Sequence, residues 1–160
     1  DIVVLLKIAA KGNKAWLVKD LALEIGISQS EVSESLHRSV QAGLLGADKR
    51  TLMKSSLLEF LKHGLKYVYP RHPGAMVRGM ATAHSAKPLS EIIQSEEPYV
   101  WLWAEGKGRG QKIEPLHPSV PMACLKDARL YELLALTDAL CIGKKREQQL
   151  ALEELEKRIK

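Results

Sequence analysis

The sequence predicts an α+β chain, mostly helical, with its strands confined to the middle. Three observations carry this. Apolar residues recur at helical spacing near both ends: Ile2, Leu5, Leu6 and Ala9 at the start, then Leu130, Leu133, Leu134, Thr137 and Leu140, then Leu152, Leu155 and Ile159. Between them, 65–69 alternates and 98–104 is apolar on both faces, each flanked by proline or glycine as short strands are. The stretch 17–45 reads as two helices joined by a tight turn. Two units follow from this pattern, 1–69 and 70–160.

A chain of 160 residues with 46% apolar and 27% charged side chains can bury an ordinary core and is not disordered in bulk. Its formal charge of +5 suits a polyanionic partner without requiring one. Cys124 and Cys141 are far apart and form no C-x-x-C pair, so cysteine zinc sites are not expected and both thiols are expected to be reduced. The five histidines, His37, His63, His72, His84 and His117, show no ligand pairing at i, i+4. No metal, cofactor or catalytic residue is therefore expected. No apolar run is long enough to cross a bilayer, and the opening Asp-Ile-Val-Val-Leu-Leu-Lys lacks the basic region of a signal peptide. A cytoplasmic location without membrane contact is the expectation.

Taken in order, 1–10 forms a first helix that stops at Lys11-Gly12-Asn13. Ala15-Trp16-Leu17 is a brief strand at most, with Trp16 in core or dimer packing. A short helix then runs through Leu21 and Ile25 to Gly26, and Ile27 is a buried pivot. Ser28 opens the next helix, with Glu31 placed to complete a capping box. That helix covers 28–42 and ends near Gly43. Val32, Leu36 and Val40 form its apolar stripe, while Ser30, Ser33, Glu34, His37, Arg38 and Gln41 fall largely on the other sides. Packing alone does not need so many short polar side chains. Major-groove reading does, because serine and glutamine reach base edges and phosphates at short range.

Leu21-Ala22, Ile25-Gly26-Ile27-Ser28, Val32-Ser33, Leu36 and Gly43-Leu44-Leu45 together resemble the DNA-binding domain of winged helix-turn-helix transcriptional regulators, broadly MarR-like. The resemblance implies that the helix over 28–42 enters a major groove of double-stranded DNA, with two copies on half-sites about one helical turn apart. Ser30, Ser33, Glu34 and His37 are then the candidates for base edges. Gln29, Arg38, Lys49 and Arg50 are the candidates for phosphates. Glu34 fits such a surface only by accepting from a cytosine amino group or by turning away. A wing is expected next, and 44–54 is short for one. A stunted wing is expected, its second strand supplied by 65–69 after an inserted helix that a Ser56–Glu59 capping box would open.

Residues 70–90 read as an ordered loop in which Arg78, Thr82, His84 and Ser85 cluster. Loop-fixing hydrogen bonds are the leading role for that cluster, ahead of an effector contact. No nucleophile elbow supports catalysis there. A short helix is expected over 89–95, and Tyr99, Trp101 and Trp103 share one face of the following strand. Gly106-Lys-Gly-Arg-Gly110 lacks the order of a phosphate loop and reads as a hairpin turn. Pro115, Pro118 and Pro121 stiffen the connection to two terminal helices, which either dimerise or dock on the chain's own core. The expected function is a dimeric transcriptional repressor and not an enzyme. The alternative is an antitoxin-like autorepressor that binds a partner protein through its C-terminal region.

Overall fold

Helix α7 (Ala128–Ile142) is the element on which the rest of the chain packs. Leu130, Leu133, Leu134, Leu136 and Leu140 point in several directions around it, so burying them requires neighbours on all sides. Those neighbours come from both ends of the chain. Helix α1 (Ile2–Lys11) contributes Leu5 and Leu6, and α8 (Lys145–Ile159) contributes Ala151, Leu155 and Ile159. A single hydrophobic cluster thus draws on residues from Ile2 to Ile159. Both terminal helices dock on the chain's own core. The computed structural model describes residues 1–159, so Lys160, the last residue of the expected terminal helix, lies outside it.

The N-terminal part continues with α2 (Val18–Ile25), α3 (Gln29–Gln41) and α4 (Lys54–His63). Gly26 ends α2 with φ 88°, a left-handed conformation that turns the chain sharply into α3. Ile27 is only half-buried against the core, less than a pivot residue was expected to be. The strand expected at 15–17 does not form, although Trp16 is buried. Helix α4 begins at Lys54, which puts Ser56 and Glu59 inside it and not at its cap.

The expected strand over 65–69 is instead helix α5 (Leu65–Val68). Gly64 keeps a right-handed helical conformation, φ −112° and ψ −38°, so the chain bends and resumes its helix. Of the alternating set, only Leu65 is buried, while Tyr67, Val68 and Tyr69 stand exposed. Alternation here was coincidence and did not mark a sheet face.

The middle of the chain is a closed ring of three strands, β1 (Met76–Ala81), β2 (Tyr99–Leu102) and β3 (Gly108–Lys112). Strand β1 is antiparallel to both others, and they are parallel to each other. Two expectations fail here. The ordered loop expected over 70–90 contains β1, and the glycine stretch 106–110 is not the expected hairpin turn. It supplies most of β3, and the connection before it crosses β1. A Cβ added to Gly106 would lie 2.2 Å from the Gly79 carbonyl oxygen, and one on Gly79 would lie 2.0 Å from that of Trp101. Glycine at both positions is what allows backbones to meet so closely in so small a ring. The helix expected over 89–95 shrinks to a single 3-10 turn, Leu89–Glu91, and the last helix before α7, α6 (Val120–Leu125), opens with Pro121 in its first turn.

Buried polar groups fasten the ring to α7. Asp138, 1% exposed, accepts hydrogen bonds from Thr82 Oγ1 (2.7 Å), Trp101 Nε1 (2.8 Å) and Arg71 Nη1 (2.7 Å). Arg71 also donates to the Glu114 carbonyl. At the other end of α7, Asp127 caps the helix through Leu130 N and grips the buried Lys7 of α1 at 2.6 Å. Burial alone would raise the Asp127 carboxyl. The hydrogen bond and charge of Lys7, with the amides of Leu130 and Arg129, outweigh it and hold the group below the usual carboxylate range.

Candidate nucleic-acid interface

Helix α3 is built to keep one side dry and the other wet. Ser28 Oγ accepts the Glu31 amide at 3.1 Å and opens the helix. The Glu31 carboxylate makes no return bond to the Ser28 amide, so one half of the expected capping box forms. Val32 and Leu36 are buried against α1 and α2 as the apolar stripe requires. Ser35 and Ser39 are buried beside them, while Val40 is only half-buried. The inward face therefore includes two serines that hydrophobicity could not mark. Their small size lets α3 lie close to its neighbours.

The outward flank carries Gln29, Ser30, Ser33, Glu34, His37, Arg38 and Gln41, all exposed. Six of the candidate residues named from sequence lie on this helix, and the fold brings them to one open surface. Two of the seven side chains have a partner among the described residues. Ser30 Oγ shares a hydrogen bond with Ser28 Oγ at 3.2 Å. Arg38 makes a two-pronged ion pair with Asp1, Nε to Oδ2 at 2.9 Å and Nη2 to Oδ1 at 2.7 Å.

Behind α3, Gly43 takes φ 77° and the chain enters a small loop. Leu45 pairs with Leu52 in an isolated antiparallel bridge, and Met53 N donates to the Leu44 carbonyl. Asp48 holds the tip together by accepting from the amides of Arg50 and Thr51 and from the Thr51 hydroxyl. The Thr51 hydroxyl and amide bonds bring its pKa down to about 2. Lys49 sits at the tip with a left-handed φ of 60° and an exposed side chain. Arg50 folds back, donating to the Trp16 carbonyl with its guanidinium 4.3 Å above the Trp16 ring. The two loop cations thus differ: Lys49 is free toward solvent and Arg50 is engaged.

A cleft of about 400 Å³ lies behind Arg50, lined by Trp16, Arg50, Lys54 and Arg158 among others. Sequence reasoning had no means to place Arg158 there, because it arrives from the far end of the chain. The polar cluster of the middle region is spread over separate partners. Arg78 donates to the Gly106 carbonyl, Thr82 to Asp138, His84 Nε2 lies 2.8 Å from the Glu97 carbonyl, and Ser85 Oγ accepts the Tyr99 amide. Arg78 and Ser85 hold loops to strands, Thr82 ties the end of β1 to α7, and His84 joins two connecting segments.

Among the described residues, no set of three or more His, Cys, Asp and Glu side chains gathers as a metal site, and no helix is long and apolar enough to cross a membrane. In comparisons with family models, curated proteins and solved structures, the chain matches none.

Proposed function

We propose that this chain is a sequence-specific DNA-binding transcriptional regulator of the winged helix-turn-helix kind, broadly MarR-like, acting as a dimeric repressor. The observation that carries the reading is the polar flank of α3. It is exposed along its whole length, and among the described residues nothing except Ser28 and Asp1 bonds to it. The tight α2–α3 turn at Gly26 and the bridged loop with Lys49 at its tip support the same reading, the loop as a stunted wing. In this account Ser30, Ser33, Glu34 and His37 meet base edges, and Gln29, Arg38 and Lys49 meet phosphates. Arg50 contributes only if it leaves Trp16. The exposed apolar side chains Tyr67, Val68 and Tyr69, outside α3, are where two copies would pair.

The experiment is selection of duplexes from a random library by the purified chain, followed by titration of the winner at several salt concentrations. The reading expects an enriched motif with half-sites about one helical turn apart and an affinity that falls steeply with salt. If no motif is enriched and no salt-dependent binding appears, the protein is no DNA reader. The α3 flank and the Tyr67–Tyr69 patch would then belong to a protein-interaction module.

A further inference from the structure

One cavity lies apart from α3 and has a different lining from the clefts around α1. It opens beside the three-strand ring, holds about 460 Å³, and falls within the size range of small-molecule pockets. Its walls are Val100 of β2, Trp103 after it, Leu125 at the end of α6 and Tyr131 of α7. Tyr131 spends its hydroxyl on the Ala81 carbonyl at 2.6 Å, and burial pushes its pKa up to about 12. It therefore offers the cavity a neutral ring. Leu125 is 57% exposed, apolar surface at the rim that no part of the chain covers.

The mouth is charged. Glu105, Lys107 and Arg109 all line it and all are exposed. Neither Lys107 nor Glu105 has an ion-pair partner among the described residues, and Arg109 makes only a 3.4 Å contact with the Met76 carbonyl. Two cations against one carboxylate leave the mouth net positive. Gly108 lies between Lys107 and Arg109 on the cavity wall, and a Cβ built on it would meet nothing within 4 Å. Unlike Gly79 and Gly106, this glycine is not demanded by a backbone crossing. A side chain added at this lining position would have open space beside the two cations.

We propose that this cavity binds a small amphipathic anion: a flat apolar body against Trp103, Leu125 and Tyr131, with its acid group between Lys107 and Arg109. Apolar walls supply the burial, and the unpaired cations supply the preference for charge. This site is independent of the DNA reading and stands or falls separately.

The test uses the full chain and two probes sharing one ring body: 8-anilinonaphthalene-1-sulfonate, which is anionic, and N-phenyl-1-naphthylamine, which is uncharged. The anionic probe is expected to bind with one-to-one stoichiometry and about tenfold tighter than the neutral one, the advantage that one charge-assisted contact supplies. Lys107→Glu with Arg109→Glu is expected to erase that advantage while leaving the neutral probe bound. Gly108→Leu is expected to block both probes in a protein whose circular dichroism and melting are unchanged. Should Gly108→Leu misfold, Leu125→Glu at the exposed rim replaces it and is expected to weaken the anionic probe selectively. The proposal is overturned if neither probe saturates, if a folded Gly108→Leu binds both probes as before, or if charge reversal at the mouth leaves the anionic probe unaffected.

Discussion

Helices α3 and α7 are of similar length, 13 and 15 residues, and they treat their polar side chains in opposite ways. On α7, Thr137 returns its hydroxyl to the Leu133 carbonyl, and Asp138 takes three hydrogen bonds in the interior. On α3, Ser33, Glu34, His37 and Gln41 are exposed and make no hydrogen bond to another described residue, and the buried hydroxyls of Ser35 and Ser39 find no partner among the described residues either. A buried polar group must be satisfied or it costs stability, whereas an exposed one costs nothing to leave open. Polar residues on α7 are thus explained by the fold, and those on α3 are not. That difference, and not polarity itself, is what marks α3 as the candidate site.

The sharpest way to break the contrast is at Asp138. Asp138→Ala leaves Arg71 buried with its main partner gone and strips Trp101 and Thr82 of their acceptor. Loss of one member of a buried pair costs about 3–5 kcal/mol. The midpoint of urea unfolding should fall accordingly. A loss below about 1 kcal/mol, within the range of an ordinary surface change, would mean that α7's polar groups are as idle as those of α3.

The next effect lies at the other end of α7. The folded pKa of Asp127 is held below its ordinary 3.8, chiefly through Lys7 acting against burial. A carboxylate lowered in the folded state contributes stability that is fully present above the unfolded value. That stability is lost as pH falls through the lower folded value. Unfolding free energy should therefore decline below pH 3.8, and Lys7→Met should flatten that decline. A Lys7→Met protein with the same acid profile as the parent would remove this ion pair from the account. A smaller loss is expected at the cap of α3, where Ser28→Ala should cost about 1 kcal/mol by thermal melting.

How far the sequence could be read follows the same division. The helices at both ends were legible because apolar spacing records burial, and α3's flank was legible because exposed polarity at helical spacing is a local signal. The three-strand ring was not. Met76–Ala81 has no alternation because Gly79 occupies a crossing point, and the glycines of β3 looked like a turn for the same reason. Close backbone approach leaves no side-chain pattern to read. The inward turn of Ser35 and Ser39 was hidden for a related reason, since a small residue serves close packing as well as it serves solvent. Arg71 and Asp138, 67 positions apart, could not be paired from either residue's surroundings in sequence.

The smallest effect on folding, and the most informative one for α3, concerns Arg38. Its ion pair with Asp1 joins side chains that are 53% and 38% exposed, and such surface pairs are worth about 0–1 kcal/mol. Arg38→Ala should thus hardly change the melting temperature. On a duplex selected by the protein it should weaken binding and lower the salt slope by about 0.9, the share of one phosphate. To reach that phosphate Arg38 must let go of Asp1, so Asp1 competes with DNA for the guanidinium. Asp1→Asn should accordingly tighten binding, and it should do so only while Arg38 is present. The double variant is expected to behave as Arg38→Ala alone, a non-additivity that two independent surface residues would not show. If Asp1→Asn strengthens binding equally in both backgrounds, its effect is general charge repulsion and Arg38 has no phosphate. The α3 flank would then have to read DNA through Ser30, Ser33, Glu34 and His37 without a guanidinium to anchor it.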